Sequence, residues 1–153
     1  MARSRLRLHF VGGVDPRLKR EVIAFGRWLR EWYTFAVPFD IRLVNQDELI
    51  DFDDQPCALR WWQSDLGSEP VTGELAVGTF PSQMQQLGPT WAYPTVIAAI
   101  GRLVKYYFQA VQNSPLREDY AEAWGDKLLD AYVDDLTPPP PYPGAKLRDP
   151  DDE

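Results

Sequence analysis

The sequence predicts a single α/β (α+β) domain, with about four strands in a mixed sheet packed by three long helices and one short helix. Three observations carry this reading. Residues alternate with period two through Arg5-Leu6-Arg7-Leu8-His9-Phe10. Apolar residues then recur every three or four positions from Leu18 to Tyr33. A broader apolar face runs from Val96 to Val111. Period two sends neighbouring side chains to opposite faces of a strand, and the longer spacing gathers them on one stripe of a helix.

The elements follow in order. Leu6, Leu8 and Phe10 form the inner face of the first strand, which ends at Gly12-Gly13. Asp15 suits an N-cap and Pro16 the first helical position, so a helix starts there and runs to about Tyr33. Phe39, Ile41 and Leu43 alternate with Asp40 and Arg42 in a second strand. Asn45 and Glu48 have the spacing of a capping box, which predicts a short helix over about 46–52. A third strand is expected at Ala58–Gln63 and a fourth at Glu74–Phe80, joined by a Gly/Ser/Pro-containing loop. Residues 81–93 read as a loop, Pro94 as the start of a buried helix, and Ser114-Pro115 as the start of the last helix. The domain is expected to span 1–135. Residues 136–153, rich in proline and acids, read as an extended tail.

At 153 residues the chain is near the commonest domain size. Hydrophobic residues are 44% and aromatic residues 13%, enough to bury a substantial core. A single cysteine, Cys57, permits no intrachain disulfide and fits a reducing, cytoplasmic setting. Arg3, Arg5 and Arg7 break up any apolar leader, and the longest apolar segment, Val96–Ile100, ends at Gly101-Arg102. No membrane partner is therefore expected.

The net charge is −7, which argues against a general nucleic-acid binder. The charge is unevenly placed. Residues 1–30 hold eight cations against Asp15 and Glu21, a surplus of six, whereas the other eight cations face 21 acids, a deficit of thirteen. Either this basic segment pairs with the acidic remainder, or Arg5, Arg7, Arg20 and Arg27 share an uncovered face that takes RNA or DNA.

The order strand, helix, strand, short helix, strand, strand, buried helix, helix resembles that of small zincin-like metalloproteins. Arg42-Leu43-Val44-Asn45-Gln46-Asp47-Glu48-Leu49 resembles the strand and acidic helix of the YbeY-type endoribonuclease family. Gly73-Glu74-Leu75-Ala76-Val77 resembles the strand before its metal-binding helix. Glu118-Asp119-Tyr120-Ala121-Glu122-Ala123-Trp124 resembles the acidic helix of minimal metallopeptidases of the ImmA/IrrE kind. The resemblance implies a helix bearing two histidines four residues apart. Gly101 and Lys105 stand in their places, and Arg102 in that of the general base. These residues cannot supply the imidazole, thiolate or carboxylate that Zn²⁺ requires, so no metal or other cofactor is expected.

Other residues have plain structural readings beside functional ones. Arg102 and Lys105 reach the surface or pair with Glu118 or Glu122, unless they are the remnant of an anion site. Asp47, Glu48, Asp51, Asp53 and Asp54 lack the spacing and central glycine of a calcium loop and read as a solvated helix end. Cys57 reads as a small buried residue. Trp61 and Trp62 must point to opposite faces of their strand. With Met84, Trp91 and Tyr93 they form a candidate interaction surface. Pro139-Pro140-Pro141-Tyr142 matches a WW-domain ligand, as proline-rich tracts do by composition.

Three functions of different class follow. The first is a non-catalytic interaction or regulatory protein, a pseudoenzyme on a zincin-like scaffold, whose partner is another protein or a second copy. The second is a hydrolase with a non-standard site, in which His9 converges with a carboxylate such as Asp40 in a pocket, or which uses the acidic cluster. The third is nucleic-acid binding through residues 1–30. The lack of a complete catalytic motif favours the first.

Overall fold

A computed structural model describes residues 5–63, 70–112 and 118–139, giving the backbone alone for 112 and 118–122. In chain order its elements are β1 (Leu6–Val11), α1 (Pro16–Trp32), β2 (Phe39–Val44), β3 (Leu49–Ile50), β4 (Pro56–Cys57), β5 (Leu59–Gln63) and β6 (Val71–Ala76). The helices α2 (Phe80–Leu87), α3 (Pro89–Gln112) and α4 (Glu118–Val133) complete them. Four strands pair in the order β1-β2-β6-β5. The first three are parallel, and β5 lies antiparallel at the edge. This is the mixed four-stranded sheet with three long helices and one short helix that the sequence predicts.

The register sorts the side chains onto two faces. Leu8, Ile41, Gly73 and Trp61 form one row of the inner face, and Phe10, Leu43, Leu75 and Leu59 the next. Helices α1 and α3 pack here. Asp15 starts α1 by accepting the Arg17 amide at 2.9 Å, and its buried stripe of Leu18, Val22, Phe25 and Leu29 is the predicted one. Gly26 of α1 lies against Leu8. Tyr107 of α3 stacks on Phe39 at 4.7 Å. On the opposite face the register gathers Arg7, His9, Asp40, Arg42, Glu74, Arg60 and Trp62. Among the described residues only the β3–β4 hairpin reaches that face, at its β5 end, where Phe52 meets Trp62 at 6.0 Å.

Four expectations are corrected. The short helix is not at 46–52 but at α2. Asn45 caps nothing there; its side-chain amide donates to the Gly12 carbonyl at 2.8 Å and ties the β1–α1 turn to β2. Residues 49–57 instead form a hairpin, held by the Asp51 carboxylate, which accepts the amides of Asp53 and Gln55. The fourth strand spans Val71–Ala76 rather than Glu74–Phe80, and Phe80 begins α2. Gly73 reads as a turn residue, yet its role is spatial: a Cβ there would lie 3.1 Å from a Leu103 methyl. Residues 81–93 are mostly helical, because α2 and α3 meet at Gly88 (φ 82°). Pro94 lies inside α3, where a proline removes one hydrogen bond near the helix start.

The last helix lies on α3. A Cβ on Gly101 would sit 3.0 Å from the Gly125 Cα, and one on Gly125 only 2.7 Å from the Ala98 carbonyl oxygen. The two glycines therefore set a backbone-to-backbone crossing. The expected start of this helix at Ser114-Pro115 lies outside the described residues. Pro138 is buried, and the Tyr33 hydroxyl donates to the Pro139 carbonyl. The first residues of the expected tail thus pack on the domain, and residues 140–153, with most of the Pro-Pro-Pro-Tyr motif, lie outside the described ones.

This crossing makes a test. Alanine for glycine in a helix interior ordinarily adds about 1 kcal/mol of stability. Here the new methyl meets backbone, and overpacking of that kind costs about 1–3 kcal/mol. Gly125→Ala is expected to lower the urea midpoint; a raised midpoint would show that the helices do not touch as described.

Candidate functional site

The outer edge of β5 opens on a groove. The Ala76 amide donates to the Ala58 carbonyl at 2.8 Å. In an antiparallel ladder bonded pairs alternate with unbonded ones. Arg60 and Trp62, opposite Glu74 and Thr72, therefore turn their main-chain groups toward β6, whereas Leu59 and Trp61 turn theirs outward. No described strand lies on that side. A groove of about 320 Å³ runs there, floored by β5. Asp51 and Phe52 wall it from the hairpin, and Arg102 and Tyr106 from α3. Trp61 stacks on Tyr106 at 5.8 Å, nearly parallel. Cys57 also borders the groove. Burial and then the nearby Asp51 carboxylate push its thiol pKa up, which works against thiolate chemistry.

The uncovered sheet face carries a second constellation. Arg7 binds Asp40 through two hydrogen bonds of 2.6 and 2.9 Å. His9 shares the same Asp40 oxygen at 3.1 Å. One level along the strands, His9, Arg42, Glu74 and Arg60 stand side by side across all four strands. The Glu74 side chain is only 7% exposed. Arg60 covers it at 2.7 Å and Arg42 at 3.5 Å. Arg60 also lies 5.6 Å from the Trp62 ring and 6.0 Å from that of Phe52.

The sequence-expected residues separate into groups. Trp61 and Trp62 do point to opposite faces. Trp61 packs on the core, and Trp62 is covered by Phe52 and Arg60 rather than by residues 81–93. Trp91 is exposed, Met84 is half-buried, and Tyr93 packs on Phe80. Trp91 is 15 residues before Tyr106 on α3, about 22 Å along the helix axis at 1.5 Å per residue. The five aromatic and Met residues therefore make two surfaces, not one. Arg7 lies on the uncovered sheet face. Arg20 and Arg27 are exposed on α1, which covers the other face, so the four arginines do not share one surface. His9 does meet Asp40, but on an open sheet with its side chain 49% exposed. Among the described residues no nucleophile hydrogen-bonds to it.

Gly101, Arg102 and Lys105 diverge. Gly101 is filled by α4, and Arg102 faces the groove. Lys105 does not reach the surface: it is 1% exposed, with its ammonium 5.7 Å from the Trp124 ring. The side chains of Glu118 and Glu122 lie outside the described residues. A glycine packed on a helix backbone, a guanidinium and a buried ammonium offer no lone pair to Zn²⁺, so these residues do not fit the metal the resemblance implies. Among the described residues no three His, Cys, Asp or Glu side chains converge as ligands. No described helix is long and apolar enough to cross a membrane. Sequence reasoning passed over Arg60, Tyr106, Phe52 and the Arg42–Glu74 pair. The available signal was a charged residue at alternate positions of two strands, Arg5 and Arg7 leading into β1 and Asp40 and Arg42 in β2.

The chain matches no protein-family model, no curated protein and no solved structure.

Burial lowers the Lys105 pKa to about 8. Above that value the folded chain has released a proton that the unfolded chain keeps until near the ordinary lysine value. Stability contributed at Lys105 therefore rises from about pH 8 to about 10, by on the order of 1 kcal/mol. Cys57 and the buried tyrosines, whose pKa values burial raises, oppose this. They remain in a Lys105→Met variant. The difference between wild type and variant in urea unfolding should shift toward wild type as pH rises through this range; a constant difference would contradict a buried, destabilised ammonium.

Proposed function

We propose that the protein is a non-catalytic binding protein that takes an extended peptide segment along the outer edge of β5. The single observation that carries this is the outward-facing backbone of Leu59 and Trp61 above a groove walled by α3 and the β3–β4 hairpin. An unpaired strand edge offers a ready template of donors and acceptors to another strand. The groove is also of the size that suits a ligand rather than a passing water.

The other edge of the sheet supports the reading by contrast. On β1 the carbonyls of Arg5 and Val11 accept from Phe39 and Asn45. The alternate carbonyl, that of Leu6, faces outward and is taken by the Arg30 guanidinium at 2.7 Å. Helix α1 thus occupies part of that edge, while the corresponding side of β5 is a channel. Along an added strand, side chains alternate between faces. One set meets the Trp61–Tyr106 stack and suits apolar residues; the other faces Arg60 and suits carboxylates. Arg102 borders the first set. As a permanent cation it cannot act as a general base, but it can hold an anionic group. The scaffold reading proposed with this function is a zincin-like one whose metal positions have become helix packing (Gly101), groove wall (Arg102) and core (Lys105).

The test uses an acetylated six-residue peptide of alternating Val and Glu and a copy with methylated backbone nitrogens. The unmethylated peptide should slow hydrogen exchange at the Leu59 and Trp61 amides. Methylation should weaken binding by at least about tenfold, since it removes main-chain donors and leaves charge unchanged. Equal affinity of the two peptides would contradict strand addition.

A further inference from the structure

The basic surplus of residues 1–30 is not absorbed by the acidic remainder. Arg7 pairs with Asp40, Arg17 pairs with Asp15 inside the same segment, and Arg30 donates to the Leu6 carbonyl. Lys19, Arg20 and Arg27 are exposed, and among the described residues none of them pairs with an acid.

Helix geometry places these three on one flank of α1. The contact of Gly26 with Leu8 marks the side of the helix that faces β1. At about 100° per residue, Lys19 and Arg30 lie beside that contact, and Arg27 and Arg20 follow within about 120° of it, turned away from the buried stripe. Two contacts fix the flank against the edge strand: the Lys19 ammonium lies 5.3 Å from the Phe10 ring, and Arg30 holds Leu6. From Lys19 to Arg30 the flank is about 16 Å long. Burial lowers the Arg30 pKa and the nearby Arg27 lowers it further, so like charges crowd here. The main-chain groups of Leu8 and Phe10 face outward beside the flank, as the Leu6 carbonyl does. Of the acids on α1, Glu21 accepts from the Tyr132 hydroxyl of α4 at 3.2 Å, and Glu31 lies beyond Arg27.

We propose that this flank binds the phosphate backbone of a single nucleic-acid strand, laid along α1 beside the β1 edge. The occupant follows from what the flank offers. Cationic side chains with main-chain amides beside them are the groups that hold phosphates, and one row of cations meets one row of phosphates. A protein partner would draw its binding energy from apolar anchors at the centre of the contact, and an anionic membrane would also take an exposed apolar anchor. Here the apolar side chain among the cations is Ile23, half-buried, and the exposed large apolar residues of the described chain lie elsewhere. The net charge of −7 does not decide against this. The hairpin acids Asp51, Asp53 and Asp54 stand at the β5 end of the sheet, the edge opposite β1. That is three strand spacings, or about 14 Å, beyond the screening length of about 10 Å at about 0.1 M salt. Their repulsion is screened while contact at the flank persists.

The test titrates the full chain with a fluorescent oligouridylate of about 12 nucleotides. The salt series starts at about 50 mM, and polyglutamate of the same charge is the control. The RNA should bind and shift the amides of Lys19, Arg20 and Arg27. Three neutralised phosphates give a slope of log K against log salt of about −2. Arg20→Gln combined with Arg27→Gln, both at exposed helix positions, should weaken binding at least about tenfold and reduce the slope to about −0.7. Arg17→Gln, whose guanidinium already holds Asp15, should change affinity less than about threefold. Absent binding, a slope near zero, equal binding of polyglutamate, or an unchanged affinity of the double variant would each overturn the proposal. If the double variant disturbs folding, the slope and the amide shifts of the wild type still decide. Shifts confined to Leu59 and Trp61 would overturn it while leaving the β5 groove reading intact.

Discussion

The seating of α3 on β6 is the constraint on which the rest of the molecule depends. Leu103 lies so close to Gly73 that a side chain on that strand position would have to displace it. This contact pins the middle of α3 over the sheet. It places Tyr107 on Phe39 toward one side and Tyr106 on Trp61 toward the other. Arg102 then falls beside the β5 edge. On its far side α3 meets α4 backbone to backbone at Gly101 and Gly125. Two close contacts, one on each side of a single helix, thus fix the groove wall and close the space over Gly101.

All four helices among the described residues are consequently on one side of the sheet, and the two sheet faces do different physical work. The inner face is apolar, fully buried at Phe39, Ile41, Leu43 and Val71 and partly buried at Leu8, Phe10, Leu59 and Trp61. The outer face is a ladder of shared polar contacts in which Asp40 holds Arg7 and His9, and Glu74 holds Arg60 and Arg42. Such pairs at a half-exposed surface add little stability. They do hold flexible arginine side chains in fixed positions, which is a property suited to recognition. The same division explains why a chain with an ordinary charge content can be acidic overall and still carry closely spaced guanidiniums on one surface.

Much of this was legible in the residues. The alternation at Leu6, Leu8 and Phe10 and the stripe from Leu18 to Tyr33 correctly mark β1 and α1, because a half-buried strand and a surface helix leave clear periods. The opposite orientation of Trp61 and Trp62 follows from strand geometry alone. The misplaced elements share a cause. Asn45, Gly73 and Pro94 each have a strong local meaning, as cap, turn and helix start, and each is overridden by a long-range contact: Asn45 bonds to Gly12, Gly73 admits Leu103, and Pro94 lies in a helix already started at Pro89. The candidate site was harder to see for a related reason. Its parts come from β5, the hairpin and α3, far apart in sequence, and its most important atoms are main-chain groups of Leu59 and Trp61, which no residue type announces. The residues read as a lost metal site proved informative in a different way, since Arg102 alone of the three borders the groove.

The open edge of β5 is the central claim, and amide hydrogen exchange on the free protein tests it most directly. Arg60 and Trp62 donate to β6 and should exchange slowly, whereas Leu59 and Trp61 between them should exchange rapidly, giving an alternation along one strand. Uniform protection of all four amides in the monomer would mean that the edge is already covered, and would contradict the account.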